Sequence, residues 1–207
     1  FYEYEGGYDT GATGAVEGIG ETLRNLVGNV NTFANLRQSL QDAGYTNASI
    51  LIDYLCYAYG DYNELMAMGA TRADGSPLGT FGDFIKYLEE NQKVETSGDH
   101  MGWTQSSENL FTVNGQSLNF KTGTQQDFIN STAELGSITV NTNAGNKPHS
   151  INIYKENGQI YVTDSGYNKI YNDQGNPLTI EEYKTFYTAM YGSCLTINYQ
   201  FYYTQQN

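Results

Sequence analysis

The chain has 207 residues, 39 % of them hydrophobic and 14 % aromatic, with Tyr 19 and Phe 9. That supplies one substantial core and excludes disorder over most of the length. A net charge of −13, from 10 Lys+Arg against 23 Asp+Glu, repels phosphate, so nucleic acid and anionic membrane surfaces are excluded as expected partners.

Residues 1–17 (FYEYEGGYDTGATGAVE) alternate aromatic and small residues and read as an extended lead-in or linker. Residues 18–207 read as one domain, helical over about 18–92 and sheet-rich over about 108–203. From Glu17 to Gln41, Ile19, Leu23, Leu26, Val27, Phe33, Leu36 and Leu40 recur at spacings of three and four, which predicts helix divided in two at Gly28. The turn-rich DAGYTNAS follows. A second helix, Asn47–Tyr59, then carries Leu51, Tyr54, Leu55, Ala58 and Tyr59 on one face, with Gly60 as its stop. No apolar run approaches the roughly 18–20 residues that span a bilayer, and Ile50-Leu51-Ile52 is interrupted at once by Asp53. Membrane insertion is therefore not expected. Thr80 caps a third helix bearing Phe81, Phe84, Ile85 and Leu88.

After Asn91 strands take over. Asn114-Gly115, between Leu110–Val113 and Leu118–Lys121, marks a hairpin with a type I′ turn. Gln125–Leu135 reads as a short helix with Phe128 and Ile129 inward. Strands follow at Ser137–Asn141, His149–Tyr154 and Gln159–Thr163, the last two joined by Glu156-Asn157-Gly158. Thr179-Ile180-Glu181-Glu182 is a capping box that opens a helix to about Met190, and Cys194–Tyr203 is a final strand. Helices first and antiparallel strands later make an α+β plan.

His149 opens one strand, and Asp164 ends its hairpin partner fifteen positions on. In an antiparallel pair the start of the first strand lies beside the end of the second, so imidazole and carboxylate become neighbours. A carboxylate on one ring nitrogen fixes the tautomer and leaves the other nitrogen as a base.

Several pieces stand in a telling order. They are Gln41-Asp-Ala-Gly-Tyr-Thr-Asn47-Ala-Ser-Ile-Leu-Ile-Asp-Tyr-Leu, then Tyr59-Gly60, Pro148-His149-Ser-Ile-Asn-Ile and Tyr161-Val-Thr-Asp164. From about 36 to 166 the chain resembles the papain-like cysteine peptidases. It is most similar to the compact bacterial branch that includes the double-glycine (bacteriocin leader) peptidases. The resemblance implies a papain-like fold, a helical half packed on an antiparallel sheet with the cleft between. It implies acyl transfer through a Cys-His-Asp triad, with a peptide or protein substrate. Position 47 takes the nucleophile, Gln41 the oxyanion hole, His149 the general base and Asp164 the orienting carboxylate. A thiolate at a helix N-terminus beside an imidazolium is stabilised by both. Position 47 is Asn, however, and an amide cannot attack a carbonyl. On this alignment the chain is an inactivated form.

Two other readings stay open. One is a natural non-catalytic peptide-binding module. The other is an effector or toxin domain from the end of a larger secreted polypeptide, suggested by the opening at Phe1 without an initiator Met and by the glycine-rich lead-in. A charged fraction of only 16 % on a Tyr/Asn/Thr/Gly-rich chain points to a secreted or exported bacterial protein.

The remaining candidates read as structural. Asn47 is also a good N-cap. Cys56 lies deep inside the expected helix, four residues before Gly60, and reads as an inert core thiol; Cys194 opens the last strand. One cysteine pair is no disulfide framework. His100 has no second His or Cys nearby, so no metal and no cofactor is expected. Tyr54, Tyr57, Tyr59 and Tyr62 read as packing, and Glu89-Glu90 and Glu181-Glu182 as solvated helix charges.

Overall fold

The computed structural model describes residues 18–30, 33–46, 56–97, 100–103 and 109–204. Six described helices and an eight-stranded antiparallel sheet form the expected α+β architecture. Helices α1 (Ile19–Val30) and α2 (Phe33–Asp42) account for the first periodic stretch. Gly28 does not divide it. It lies inside α1, where a β-carbon would stand 3.3 Å from Ile170 Cδ1. The helix tolerates glycine there because a neighbouring side chain packs closely at that point.

Helix α3 (Cys56–Met68) also departs from expectation, since it runs through Gly60 for two further turns. Gly60 is buried against the sheet, and its carbonyl accepts from Asn152 Nδ2 at 2.9 Å. Packing at this contact outweighs the propensity cost of about 1 kcal/mol for an internal glycine. Ala58, Tyr59 and Leu65 of α3 join Leu36 and Leu40 of α2 in one core. Helix α4 (Phe81–Glu90) adds Phe81, Phe84, Ile85 and Leu88 to it. As the sequence predicts, Thr80 caps α4: Asp83 N donates to Thr80 Oγ1 at 3.2 Å and Thr80 N to Asp83 Oδ2 at 3.1 Å.

The strands are β1 (Thr71–Arg72), β2 (Val94–Ser97), β3 (His100–Trp103), β4 (Phe111–Val113), β5 (Gln116–Gly123), β6 (Leu135–Asn141), β7 (His149–Glu156), β8 (Gln159–Thr163), β9 (Leu178–Thr179) and β10 (Leu195–Thr204). The large sheet has the order β1-β4-β5-β10-β6-β7-β8-β9, and β2 pairs with β3 separately. The β4–β5 turn places Asn114 at φ 50° and Gly115 at φ 78°, and the β7–β8 turn places Asn157 at φ 52° and Gly158 at φ 75°. Both are left-handed pairs that asparagine and glycine adopt readily.

Helices cover both faces of the sheet centre. On one face Ile138, Val140, Ile151, Ile153 and Val162 pack with Ile180, Tyr183 and Tyr187 of α6 (Ile180–Tyr191), and with Phe128 of α5 (Gln125–Asn130). Ile129 of α5 does not turn inward with Phe128; it is 47 % exposed, because this short helix presents only one residue to the core. On the other face Gly60 of α3 meets Ser137, Ser150 and Asn152, while Leu23 and Val27 of α1 pack on Leu135 and Tyr154. Burial on both faces explains why Leu135 to Val140 of β6 are buried without alternation. Among the described residues no helix is long and apolar enough to cross a membrane.

Candidate active site

The β7–β8 hairpin brings together the two residues that its register predicts. Asn152 pairs with Thr163, so His149 at the start of β7 lies beside the chain just beyond β8. His149 Nε2 stands 2.9 Å from Asp164 Oδ1. Asp164 is fully buried, and its main chain is pinned by reciprocal hydrogen bonds with Lys169, both 2.8 Å. Its carboxylate accepts two more: Tyr167 N donates to Oδ1 at 3.2 Å and Tyr183 Oη to Oδ2 at 2.6 Å. The Tyr167 ring meets the imidazole edge-on, with centroids 5.5 Å apart.

A thiol completes the arrangement. Cys56 of α3 is part-buried and neighbours the His149 ring, on whose pKa it acts. Nε2 is committed to Asp164, which leaves Nδ1 as the ring nitrogen for acid–base chemistry. Burial works against the imidazolium, but the hydrogen bonds and charges of Asp164 and Cys56 outweigh it and push the His149 pKa up to about 10. The ring is thus cationic at neutral pH, with the Cys56 side chain for a neighbour.

The sequence reading placed Cys56 in a helix interior as an inert core thiol, and the structure makes it a neighbour of the His149 ring. That reading let the helix begin at 47 and stop at Gly60. α3 instead continues past Gly60 to Met68, while residues 47–55 lie outside the described residues. The available signal was the chain order: Cys56 is the only cysteine upstream of His149, which with Asp164 makes Cys-His-Asp. Asn47, the expected nucleophile position, lies outside the described residues. Gln41 is exposed in the last turn of α2, and its carbonyl accepts from Gly44 N at 3.0 Å. Among the described residues, no contact joins its side chain to Cys56, His149 or Asp164. Tyr167, Tyr183 and Gly166, which all touch the pair, went unnoticed in the sequence because they carry no motif of their own.

Beyond Cys56, α3 holds two buried acids, Asp61 and Glu64. Tyr202 Oη donates to Asp61 Oδ2 at 2.6 Å and Tyr202 N to Glu64 Oε2 at 2.9 Å, while Glu64 Oε1 has no hydrogen-bond partner among the described residues. Burial raises the Asp61 pKa to about 7 against the Tyr202 hydrogen bond. Burial and the nearby Asp61 charge raise that of Glu64 well above the ordinary range. Cys194 is part-buried ahead of β10, and burial pushes its thiol pKa up. Among the described residues no group of three or more His, Cys, Asp or Glu side chains could hold a metal ion, and His100 pairs with Ser97 in the β2–β3 ladder.

Set against protein-family models, curated proteins and solved structures, the chain matches none.

Proposed function

We propose that this chain is a cysteine acyl transferase of the papain-like kind, most simply a peptidase, with Cys56 as nucleophile, His149 as general acid–base and Asp164 as the residue that orients the ring. The observation that carries this reading is the convergence of thiol and carboxylate on one imidazole. The chain order of the three residues, and the helix, strand and strand end that carry them, agree with the family resemblance. The nucleophile moves from position 47 to 56, so the chain is active rather than inactivated.

The chemistry follows from the protonation states. The Cys56 thiolate attacks the substrate carbonyl carbon, forming the S–C bond and moving an electron pair onto oxygen. The imidazolium of His149 passes its proton to the leaving amine as the C–N bond breaks, leaving a thioester. Neutral His149 then takes a proton from water as that water attacks the thioester. The acid is released, and thiolate and imidazolium are restored. Throughout, Asp164 holds the ring on Nε2 and so keeps Nδ1 directed at the reacting centre.

The test is alkylation by iodoacetamide at pH 6, followed by peptide mapping of the modified cysteine. Cys56 is expected to react rapidly, and at least about 10-fold more slowly when His149→Ala removes its partner. Reaction that ignores His149, and rises only near the ordinary thiol pKa of about 8.5, would overturn the assignment.

A further inference from the structure

The carboxylate of Asp164 has two oxygens but only one imidazole to orient. Oδ1 receives His149 Nε2 at 2.9 Å and Tyr167 N at 3.2 Å, while among the described residues Oδ2 receives only the hydroxyl of Tyr183, at 2.6 Å. The side-chain torsion of an aspartate is broad and roughly two-fold, so hydrogen bonds on one oxygen leave the group free to pivot about that contact. Asp164 is fully buried, and no solvent is at hand to satisfy an oxygen that swings away. Tyr183 is itself 1 % exposed and packs against Phe186 and Tyr187, with ring centroids 5.8 and 6.2 Å away. Its hydroxyl is therefore a fixed point supplied by a different element, α6.

We infer that Tyr183 is a positioning residue of the site: its hydroxyl locks the Asp164 carboxylate in the rotation that presents Oδ1 to His149. This rests on the Cys-His-Asp reading above and extends it to a fourth residue. The lock acts through Asp164 on the ring and so on the charge that the ring can hold. Among the described residues, the other titratable groups facing this cluster are Cys56 from α3, Tyr167 from the turn after β8, Tyr187 and Tyr191 from α6 and Cys194 ahead of β10. The neighbouring cations of Lys147 and Lys169 lie over the Tyr191 and Phe186 rings.

Tyr183→Phe removes one oxygen and keeps the ring. It is expected to slow alkylation of Cys56 at pH 6 by about 10-fold, the effect of losing one charge-assisted hydrogen bond. It is also expected to lower the His149 pKa, read by NMR, by about one unit; only His100 shares that spectrum. Asp164→Asn keeps the shape of the group and removes its charge. In that background Tyr183→Phe should change neither readout further. A wild-type rate and pKa in Tyr183→Phe would overturn the inference, as would an equal further loss in the Asp164→Asn background, which marks a merely structural bond. If His149→Ala leaves alkylation of Cys56 untouched, the triad reading itself falls. If it suppresses alkylation while Tyr183→Phe does not, only the role of Tyr183 falls.

Discussion

Gly166 lies directly against the ring of His149. A β-carbon at position 166 would stand 3.0 Å from Cε1, 3.3 Å from Nε2 and 3.3 Å from Asp164 Oδ1. The turn that follows Asp164 thus folds back over the hydrogen bond that Asp164 makes, and it does so where only a residue without a side chain leaves the pair undisturbed. Gly166→Ala is expected to displace the ring by a few tenths of an ångström and to slow Cys56 alkylation about 10- to 100-fold. An unchanged rate in stopped-flow alkylation would show that the turn yields instead of the ring.

The two cysteines are expected to separate cleanly. Cys194→Ser should leave alkylation at pH 6 unchanged, since burial already holds its thiol in the protonated form. Cys56→Ser should abolish it. It should also lower the His149 pKa from about 10, because the hydrogen bond and charge of Cys56 help to hold the imidazolium. NMR titration of the imidazole in both variants is the measurement.

Folding stability should be highest on the acidic side of neutrality. A raised histidine pKa contributes stability that is fully present below the unfolded value of 6.5 and lost as pH rises through about 10. Asp61, raised from 3.8 to about 7, binds its proton more tightly when folded, so its contribution also declines as pH rises between those values. Both slopes are negative. The carboxylates of Asp74, Asp127 and Glu182, whose pKa values are lowered by local hydrogen bonds, act the other way in strong acid. Urea unfolding from pH 3 to 10.5 should place the maximum at about pH 4–6.5; a maximum above pH 8 would contradict the assignment.

Asp61→Asn is expected to stabilise the protein at pH 8. The amide retains an acceptor for Tyr202 Oη and removes a buried charge that no cation among the described residues neutralises. The gain should be about 1–3 kcal/mol at pH 8 and should vanish near pH 4, where the carboxyl is already neutral. Denaturant melts at the two pH values measure the difference.

Local chemistry was readable along much of the chain. The Thr179–Glu182 capping box, the left-handed Asn-Gly turns and the bounds of β8 depend on neighbours a few residues apart, and they appear as expected. The pairing of His149 with Asp164 was legible for the same reason, because one tight turn sets the register of the hairpin. Cys56 was not legible. Its place depends on a partner 93 positions away, and the apparent helix stop at Gly60 misled the reading. The short strands β1 and β9, and the inward turn of Asp61 and Glu64, escaped notice because a two-residue ladder or a buried acid has no periodic signature.

Amino-acid order alone thus settles an α+β chain with an imidazole and a carboxylate side by side, since backbone sterics and turn geometry act over short separations. Which sulfur meets that imidazole, and which phenol steadies that carboxylate, is a matter of long-range packing. α3 is held against β7 by Gly60 and Asn152, and α6 covers the opposite face through Tyr183 and Tyr187. Those contacts form only when the apolar faces of distant segments are buried together, and no local pattern encodes them.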